Sequence, residues 1–128
     1  MKRLLLDTHV LLWWLSADNS LGTEAKHLIS SGDNVAYVSA ASIWEISIKR
    51  ALGKLKAPAD FAAILETEGF DQLPIDVFHA EQAGDLPLLH RDPFDRMLVA
   101  QAQAEGLNII TADARIKQYG VRVIDATH

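Results

Sequence analysis

The sequence predicts an α/β fold in three layers, α/β/α, with a mostly parallel central sheet of about four to five strands. Two observations lead to this prediction. Short apolar runs of strand length alternate with segments of helical length along the whole chain. In addition, 128 residues with 49% hydrophobic side chains suffice for one buried core, so residues 1–128 are predicted to form a single domain.

The first half of the chain supplies two of the predicted strands. A short apolar run stops at Asp7, and a second apolar run of helical length begins directly after it, which places this aspartate at a strand-to-helix junction. Gly32 and Gly53 are suited to end two helices. The predicted elements are a strand up to residue 6, a helix at 10–15, a helix at 23–31, a strand at 35–38 and a helix at 40–52.

The second half continues the alternation and contains a strong helix start. In the segment Asp92-Pro93-Phe94-Asp95, Asp92 is placed as the N-cap and Pro93 at the first helical position. The predicted elements are a helix at 60–68, a strand at 72–75, a helix at 77–83, a loop at 84–92, a helix at 94–105 closed by Gly106, a strand at 108–110, a helix at 114–119 and a strand at 122–124.

Four acidic residues are predicted to meet at one edge of this sheet. Asp7 and Asp113 each follow a strand, and parallel strands end at the same edge, where open α/β sheets bind ligands. Glu45 lies about one turn into the helix that follows the second strand. The helix at 94–105, about 18 Å long at 1.5 Å per residue, leads into the next strand, so its beginning with Asp95 returns to this edge.

A cluster of four carboxylates calls for a positive charge, because crowded acids repel one another and some would take up protons. Oxygen ligands suit Mg²⁺ or Mn²⁺ rather than zinc. The five histidines show no paired metal-ligand spacing, which agrees with that choice. A hard divalent ion held by Asp7, Glu45, Asp95 and Asp113 would activate water and stabilise the charge that develops on a phosphate.

Each of these acids also has a purely structural interpretation as a helix cap or an ion-pair partner. Capping is served equally well by Ser, Thr or Asn, so acids at all four places are more than capping demands. The structural alternatives are Asp7 and Asp113 as N-caps, Asp95 and Glu45 as third-position acids of capping boxes begun by Asp92 and Ser42, and Glu45 as the partner of Lys49.

The residues around the predicted cluster keep two interpretations each. His90 and Arg91 lie on the predicted loop at 84–92, where they either contact a phosphate or belong to a solvated loop. The basic residues from Lys49 to Lys56 form either a solvated face or a nucleic-acid contact. Three nearby hydroxyls either orient metal-bound water or bond local backbone, namely those of Thr8, Ser39 and Thr111. The tryptophans are assigned to core or interface, namely Trp13, Trp14 and Trp44.

Bulk composition limits the classes of function. The formal charge of −5 argues against a protein that holds nucleic acid by bulk positive charge. There is no cysteine, so disulfides and thiolate sites are excluded. No stretch approaches the roughly 18 uninterrupted apolar residues of a membrane span. We therefore expect a cytoplasmic protein with no membrane partner.

With these residues in view, the chain resembles the PIN-domain family and, within it, the VapC-like toxins of bacterial toxin–antitoxin pairs. The family's acidic quartet falls on Asp7, Glu45, Asp95 and Asp113. The resemblance implies a Mg²⁺- or Mn²⁺-dependent ribonuclease that acts on RNA, forms a homodimer and is inhibited by an antitoxin lying in an apolar groove. The matching segments are Leu-Leu-Asp-Thr-His at 5–9, Ser-Ile-Trp-Glu-Ile at 42–46, Gly-Lys-Leu at 53–55, His-Arg-Asp-Pro-Phe-Asp-Arg-Met-Leu at 90–98 and Ile-Thr-Ala-Asp at 110–113.

Two alternative functions belong to other classes. A receiver-type signalling domain would share the layout and an acidic Mg²⁺ site, but it should show paired acids near the first strand and a lysine after the last strand. Asp7 stands alone, and residues 121–128 contain no lysine. The second alternative is a PIN-like binding module without catalysis.

Overall fold

The structure is a computed structural model that describes all residues from 1 to 128. Five strands form one sheet in the order β3-β2-β1-β4-β5, and every neighbouring pair is parallel. The strands are β1 (Arg3–Leu6), β2 (Val35–Ser39), β3 (Asp71–Leu73), β4 (Asn108–Thr111) and β5 (Val123–Asp125). The predicted parallel α/β fold is confirmed.

Seven helices connect and cover these strands. They are α1 (Thr8–Leu15), α2 (Thr23–Ser30), α3 (Ala40–Ala51), α4 (Phe61–Glu68), α5 (Val77–Asp85), α6 (Pro93–Glu105) and α7 (Ala114–Lys117). None of them combines the length and the apolar character that crossing a lipid bilayer demands.

The helices cover both faces of the sheet. Neighbouring residues of a strand point to opposite faces, so an apolar strand needs a packed layer on each side. In β1, Leu4 and Leu6 pack into a core shared with α1 to α4, whereas Leu5 packs into a second core with α6 and α7. All three leucines are fully buried. A central strand that is buried on both faces explains why the sequence at 4–6 is a continuous apolar run rather than an alternating one.

Several predicted boundaries differ from the structure for local reasons. The predicted helix at 10–15 begins earlier, at Thr8, because Asp7 is its N-cap. The helix predicted to reach residue 31 ends at Ser30, since Ser31 is already extended, and Gly32 is not its cap. The strand predicted at 72–75 is Asp71–Leu73, which stops before Pro74, a residue without a backbone N–H to donate.

The sheet order brings the ends of β1 and β4 together at the place where the chain reverses its direction of strand addition. From β1 the sheet extends through β2 and β3 on one side and through β4 and β5 on the other. The Asp7 N–H continues the pairing just beyond the strand by donating to the Ile110 carbonyl at 3.1 Å. In parallel sheets this reversal point opens a crevice at the carboxyl ends of the strands.

Gly22 is required by a close backbone approach. A Cβ placed there would lie 2.1 Å from the His128 carbonyl carbon and 2.5 Å from its oxygen. The Gly22 N–H donates to the Ala126 carbonyl at 2.8 Å, so residues 126–128 cannot withdraw without losing hydrogen bonds. We predict that Gly22→Ala lowers the free energy of unfolding in urea by about 1–3 kcal/mol.

Gly32→Ala is the matched control for that substitution, because a Cβ at Gly32 meets no atom within 4 Å. It should leave the urea midpoint nearly unchanged. An equal loss of stability in both variants would contradict the steric explanation.

Candidate active site at the carboxyl edge of the sheet

Asp7 is held rigidly at the junction of β1 and α1. Its side chain is buried, with 5% of the residue exposed. One carboxyl oxygen, Oδ1, caps α1 by accepting from the Val10 N–H at 2.8 Å, and the other accepts a short hydrogen bond from the Thr111 hydroxyl. Burial raises the pKa of Asp7 despite these hydrogen bonds, and the nearby Asp113 carboxylate adds to the increase.

Asp113 lies beside Asp7 because the same threonine contacts both residues. The Thr111 hydroxyl oxygen accepts from the Asp113 N–H at 3.0 Å while its proton goes to Asp7. Asp113 caps α7 through the Arg115 N–H at 2.9 Å, and the Arg115 guanidinium donates to both carboxyl oxygens at 3.1 Å. Burial alone would raise the pKa of Asp113, but the hydrogen bonds from Arg115 outweigh it and lower the pKa.

Asp95 reaches the same edge from the first turn of α6. Its Oδ2 lies 2.8 Å from Nε2 of His90, and that same nitrogen lies 3.2 Å from Oδ2 of Asp113. Burial raises the pKa of Asp95 to about 6, and the charges of Asp92 and Asp7 add to the increase, while the hydrogen bond to His90 opposes it.

Glu45 is 4% exposed and projects from α3 towards the beginning of α1. Its Oε1 accepts from the Thr8 hydroxyl at 2.7 Å, and its Oε2 pairs with the Lys49 ammonium at 2.6 Å. The bond to Glu45 raises the pKa of Lys49, and the charges of Asp92 and Asp95 raise it further. Because Thr8 directly follows Asp7, its hydrogen bond places the Glu45–Lys49 pair at the beginning of α1, beside the acidic cluster.

The four predicted acids thus approach one edge of the sheet, but not all equally closely. Asp95 and Asp113 form a compact group with His90, in which one ligand atom from each lies within 4.8 Å of the others. Asp7 lies outside that group and joins it through Thr111. Glu45 also lies outside, and its direct ionic partner is Lys49.

The structural alternatives for the acids are confirmed in part. Asp7, Asp92 and Asp113 are N-caps, and Glu45 does pair with Lys49. The capping box expected for Asp95 is wrong, because the Asp92 N–H points to His90 Nδ1 at 3.4 Å instead of to the Asp95 carboxylate.

The capping box expected between Ser42 and Glu45 is also wrong. The N-cap of α3 is Ser39, three residues earlier, whose hydroxyl accepts from the Ala41 N–H. Ser42 is buried inside the helix, and its hydroxyl has no hydrogen-bond partner. Glu45 is therefore free of any capping task and contacts the hydroxyl of Thr8 instead.

His90 was predicted on a solvated or phosphate-contacting loop, and the structure places it in the cluster itself. It is 5% exposed. Arg96, to which the sequence assigned no role, also belongs to this region: its buried guanidinium donates to backbone carbonyls of residues 83–90 and to no carboxylate. Periodicity does not show which way the loop residue His90 points, nor which groups the side chain of Arg96 in α6 contacts, so neither role had a signal in the sequence.

A family model and a known protein match most of the chain. A family model described as PIN domain matches residues 4–122 of the chain. The chain is also similar to the protein named Ribonuclease VapC22 from Mycobacterium tuberculosis (strain ATCC 25618 / H37Rv), with 30% identical residues over 93% of each protein.

Solved structures share the fold at lower identity. VapBC2 from Rickettsia felis bound to a DNA fragment from its promoter matches with a TM-score of 0.70 and 14% identity, over 95% of this chain and 97% of that one. DNA-bound VapBC from Salmonella typhimurium matches with a TM-score of 0.67 and 20% identity, over 98% of both chains. These likenesses concern the fold alone.

The raised pKa of Asp95 predicts how stability depends on pH. A carboxyl with a folded pKa of about 6 and an ordinary value of 3.8 binds more protons in the folded state. Its contribution to the free energy of unfolding is therefore present at acidic pH and lost as the pH rises through 6. In metal-free protein, Asp95→Asn should flatten this fall and stabilise the fold at neutral pH by roughly 1–2 kcal/mol after allowing for solvent screening.

Urea unfolding at several pH values between about 4 and 7 measures this effect. Glu81→Gln, which removes an exposed carboxylate, is the control for the loss of one negative charge. An unchanged pH slope in Asp95→Asn would refute the assignment, whereas a residual slope is expected from Asp7.

Proposed function

The chain belongs to the PIN-domain family, and from this premise we propose that it is a divalent-metal-dependent endoribonuclease, the VapC-like toxin of a toxin–antitoxin pair. The observation that carries the proposal is the meeting of buried or half-buried carboxylates at one sheet edge. Family membership removes the receiver-type alternative. A PIN-like module without catalysis stays as the competing proposal, and the same assays test it.

The donor set fits a hard divalent cation. Carboxylate oxygens predominate, and the pKa values of Asp7 and Asp95 are both raised because burial and like charges disfavour ionisation. A bound cation would favour the ionised forms and relieve this repulsion. We propose that Asp7, Glu45, Asp95 and Asp113 hold Mg²⁺ or Mn²⁺, with Asp7 and Asp95 as the leading ligands.

Hydrogen bonds within the protein fix the orientation of the proposed metal ligands before substrate binds. When bound, Mg²⁺ or Mn²⁺ would supply a more acidic water and neutralise charge on the phosphate. Thr111 fixes one oxygen of Asp7, and Thr8 fixes one oxygen of Glu45, so neither carboxylate is free to rotate. Glu45 and Asp113 complete the acidic cage or position the attacking water for in-line displacement.

The proposed substrate is RNA and the proposed compartment is the cytoplasm. The relative that is 30% identical is named a ribonuclease, which supports hydrolysis of an RNA phosphodiester bond. The half-exposed Lys49 and the exposed Arg115 border the acids, and each pairs with one of the carboxylates. A chain without cysteine is compatible with a reducing compartment.

An antitoxin is the proposed protein partner. The solved VapBC structures contain complexes of that kind, and this chain has an apolar groove of about 600 Å³ between α3 and α4. Trp44 lines the groove and is 62% exposed, so of the two places predicted for the tryptophans, core or interface, Trp44 is not in the core. An exposed indole beside Ile43, Phe61 and Leu65 suits an apolar segment of a partner.

A homodimer is proposed as the resting assembly of the toxin. Large apolar side chains lie exposed on α5 and the following loop, with Val77 at 75%, Phe78 at 58% and Leu88 at 82% exposure. Patches of this kind mark protein interfaces. Light scattering of the purified chain should give twice the 14.1 kDa mass of one chain; a mass of 14.1 kDa would remove the dimer but leave the nuclease proposal standing.

The decisive substitution is Asp7→Asn. The amide keeps the shape of the carboxyl and a hydrogen bond to the Val10 N–H, so the fold should survive while the metal loses a charged ligand. We predict that cleavage of a fluorescent single-stranded RNA in Mg²⁺ or Mn²⁺ falls by at least about 100-fold, with an unchanged circular dichroism spectrum.

Asp18→Asn, an exposed aspartate in the turn after α1, is the matched control and should retain full activity. Full metal-dependent cleavage by Asp7→Asn would defeat the proposed site. Absence of cleavage in the unaltered chain, together with measurable metal binding, would favour the non-catalytic module.

A further inference from the structure

His90 is held from several directions in the acidic cluster. Its backbone N–H donates to the Tyr119 hydroxyl at 2.9 Å, and its carbonyl accepts from the Arg96 guanidinium at 3.3 Å. Its ring Nδ1 accepts from the Asp92 N–H at 3.4 Å. With both backbone groups and one ring nitrogen engaged, the imidazole has one orientation, in which Nε2 points at Asp95 and Asp113.

Arg96 fixes the segment that carries His90. Its guanidinium is buried and donates to the carbonyls of Ala83 at 2.8 Å, Leu86 at 2.9 Å and Pro87 at 3.0 Å as well as to that of His90. No carboxylate neutralises this buried charge, which is costly unless many hydrogen bonds compensate for it. The Tyr119 hydroxyl also donates to the Pro87 carbonyl at 2.8 Å, so Arg96 and Tyr119 both hold the same loop.

The partners of the ring define which nitrogen carries the proton. Because Nδ1 accepts from a backbone N–H, neutral His90 has its proton on Nε2. This N–H therefore donates to Asp95 at 2.8 Å, with Asp113 at 3.2 Å as a second acceptor. A nitrogen that carries a proton has no lone pair to offer a metal ion.

We propose that His90 is a built-in competitor for the divalent cation, because its imidazole N–H occupies the oxygens of Asp95 and Asp113 that the ion requires. Ligand atoms lie about 2.0–2.1 Å from Mg²⁺, so an ion bound to both oxygens takes the space into which the N–H points. Arg96 is the positioning residue that keeps the imidazole there. The inference rests on the proposed metal site and adds that its affinity is limited by this chain's own side chain.

The test measures Mn²⁺ affinity of the whole chain at one fixed pH, by calorimetry and by the electron paramagnetic resonance signal of free Mn²⁺, without RNA. His90→Leu removes the donor and should tighten Mn²⁺ binding by about tenfold or more, since hydrogen bonds to charged groups oppose the ion. His90→Gln is the matched control, because its amide nitrogen keeps a donor of similar reach. It should bind Mn²⁺ about as the unaltered chain does.

The contribution of Arg96 is tested through its dependence on His90. Arg96→Met removes the hydrogen bonds that hold the loop and should also tighten Mn²⁺ binding, but it should add nothing to His90→Leu in the double variant. In the unaltered chain, ¹⁵N spectra should show the His90 proton on Nε2, and addition of Mg²⁺ should shift the Nε2 resonance as the hydrogen bonds to Asp95 and Asp113 are lost. If His90→Leu does not fold, Arg96→Met and Tyr119→Phe make the same measurement possible.

The outcomes separate this inference from the proposed function. Weaker Mn²⁺ binding by His90→Leu would show that the imidazole is a ligand, and unchanged binding would show that it is only structural; either result overturns the competition. If neither the unaltered chain nor any His90 variant binds Mn²⁺, the proposed metal site itself fails. Mn²⁺ binding by His90→Leu alone would show that the imidazole of the unaltered chain keeps the ion out completely, which supports the competition.

Discussion

The parallel pairing of β1 with β4 is the constraint on which the site depends. It sets the ends of two strands side by side, and the Thr111 hydroxyl then spans the gap by accepting from Asp113 and donating to Asp7. Two aspartates 106 positions apart in the sequence are thereby fixed relative to each other. The return of α6 to the same edge adds Asp95, and the packing of α3 against α1 adds Glu45.

Bringing these four acids together lowers the stability of the fold. Acids that are buried close together are harder to ionise, and the raised pKa values of Asp7 and Asp95 record that cost. The structure offsets part of it locally: Lys49 pairs with Glu45, Arg115 with Asp113, and His90 donates to Asp95. Asp7 alone accepts from neither a cationic side chain nor an imidazole, which agrees with its proposed place as a leading metal ligand.

The sequence predicted the parallel fold and the edge at which the acids meet, because both follow from regular patterns. An apolar run that stops at an aspartate indicates a buried strand with an acid at its end, and the Asp-Pro helix start fixes the direction of α6. The sequence did not predict the places of His90 and Arg96, since both depend on the path of the irregular segment at 86–92. It also could not separate Ser39 from Ser42 as the cap of α3, because the two serines lie three residues apart and only the backbone angles decide between them.

The distribution of positive charge explains how a chain with a net charge of −5 could act on RNA. Many of its basic residues lie near the acids in the sequence, but the structure gives three of them other tasks: Lys49 and Arg115 neutralise carboxylates, and Arg96 holds a loop. None of these three residues therefore offers an unpaired, exposed charge to a phosphate backbone. A divalent ion in the acidic cluster would therefore reverse the local potential as well as take part in the chemistry, so that substrate binding and catalysis would both depend on the same ion.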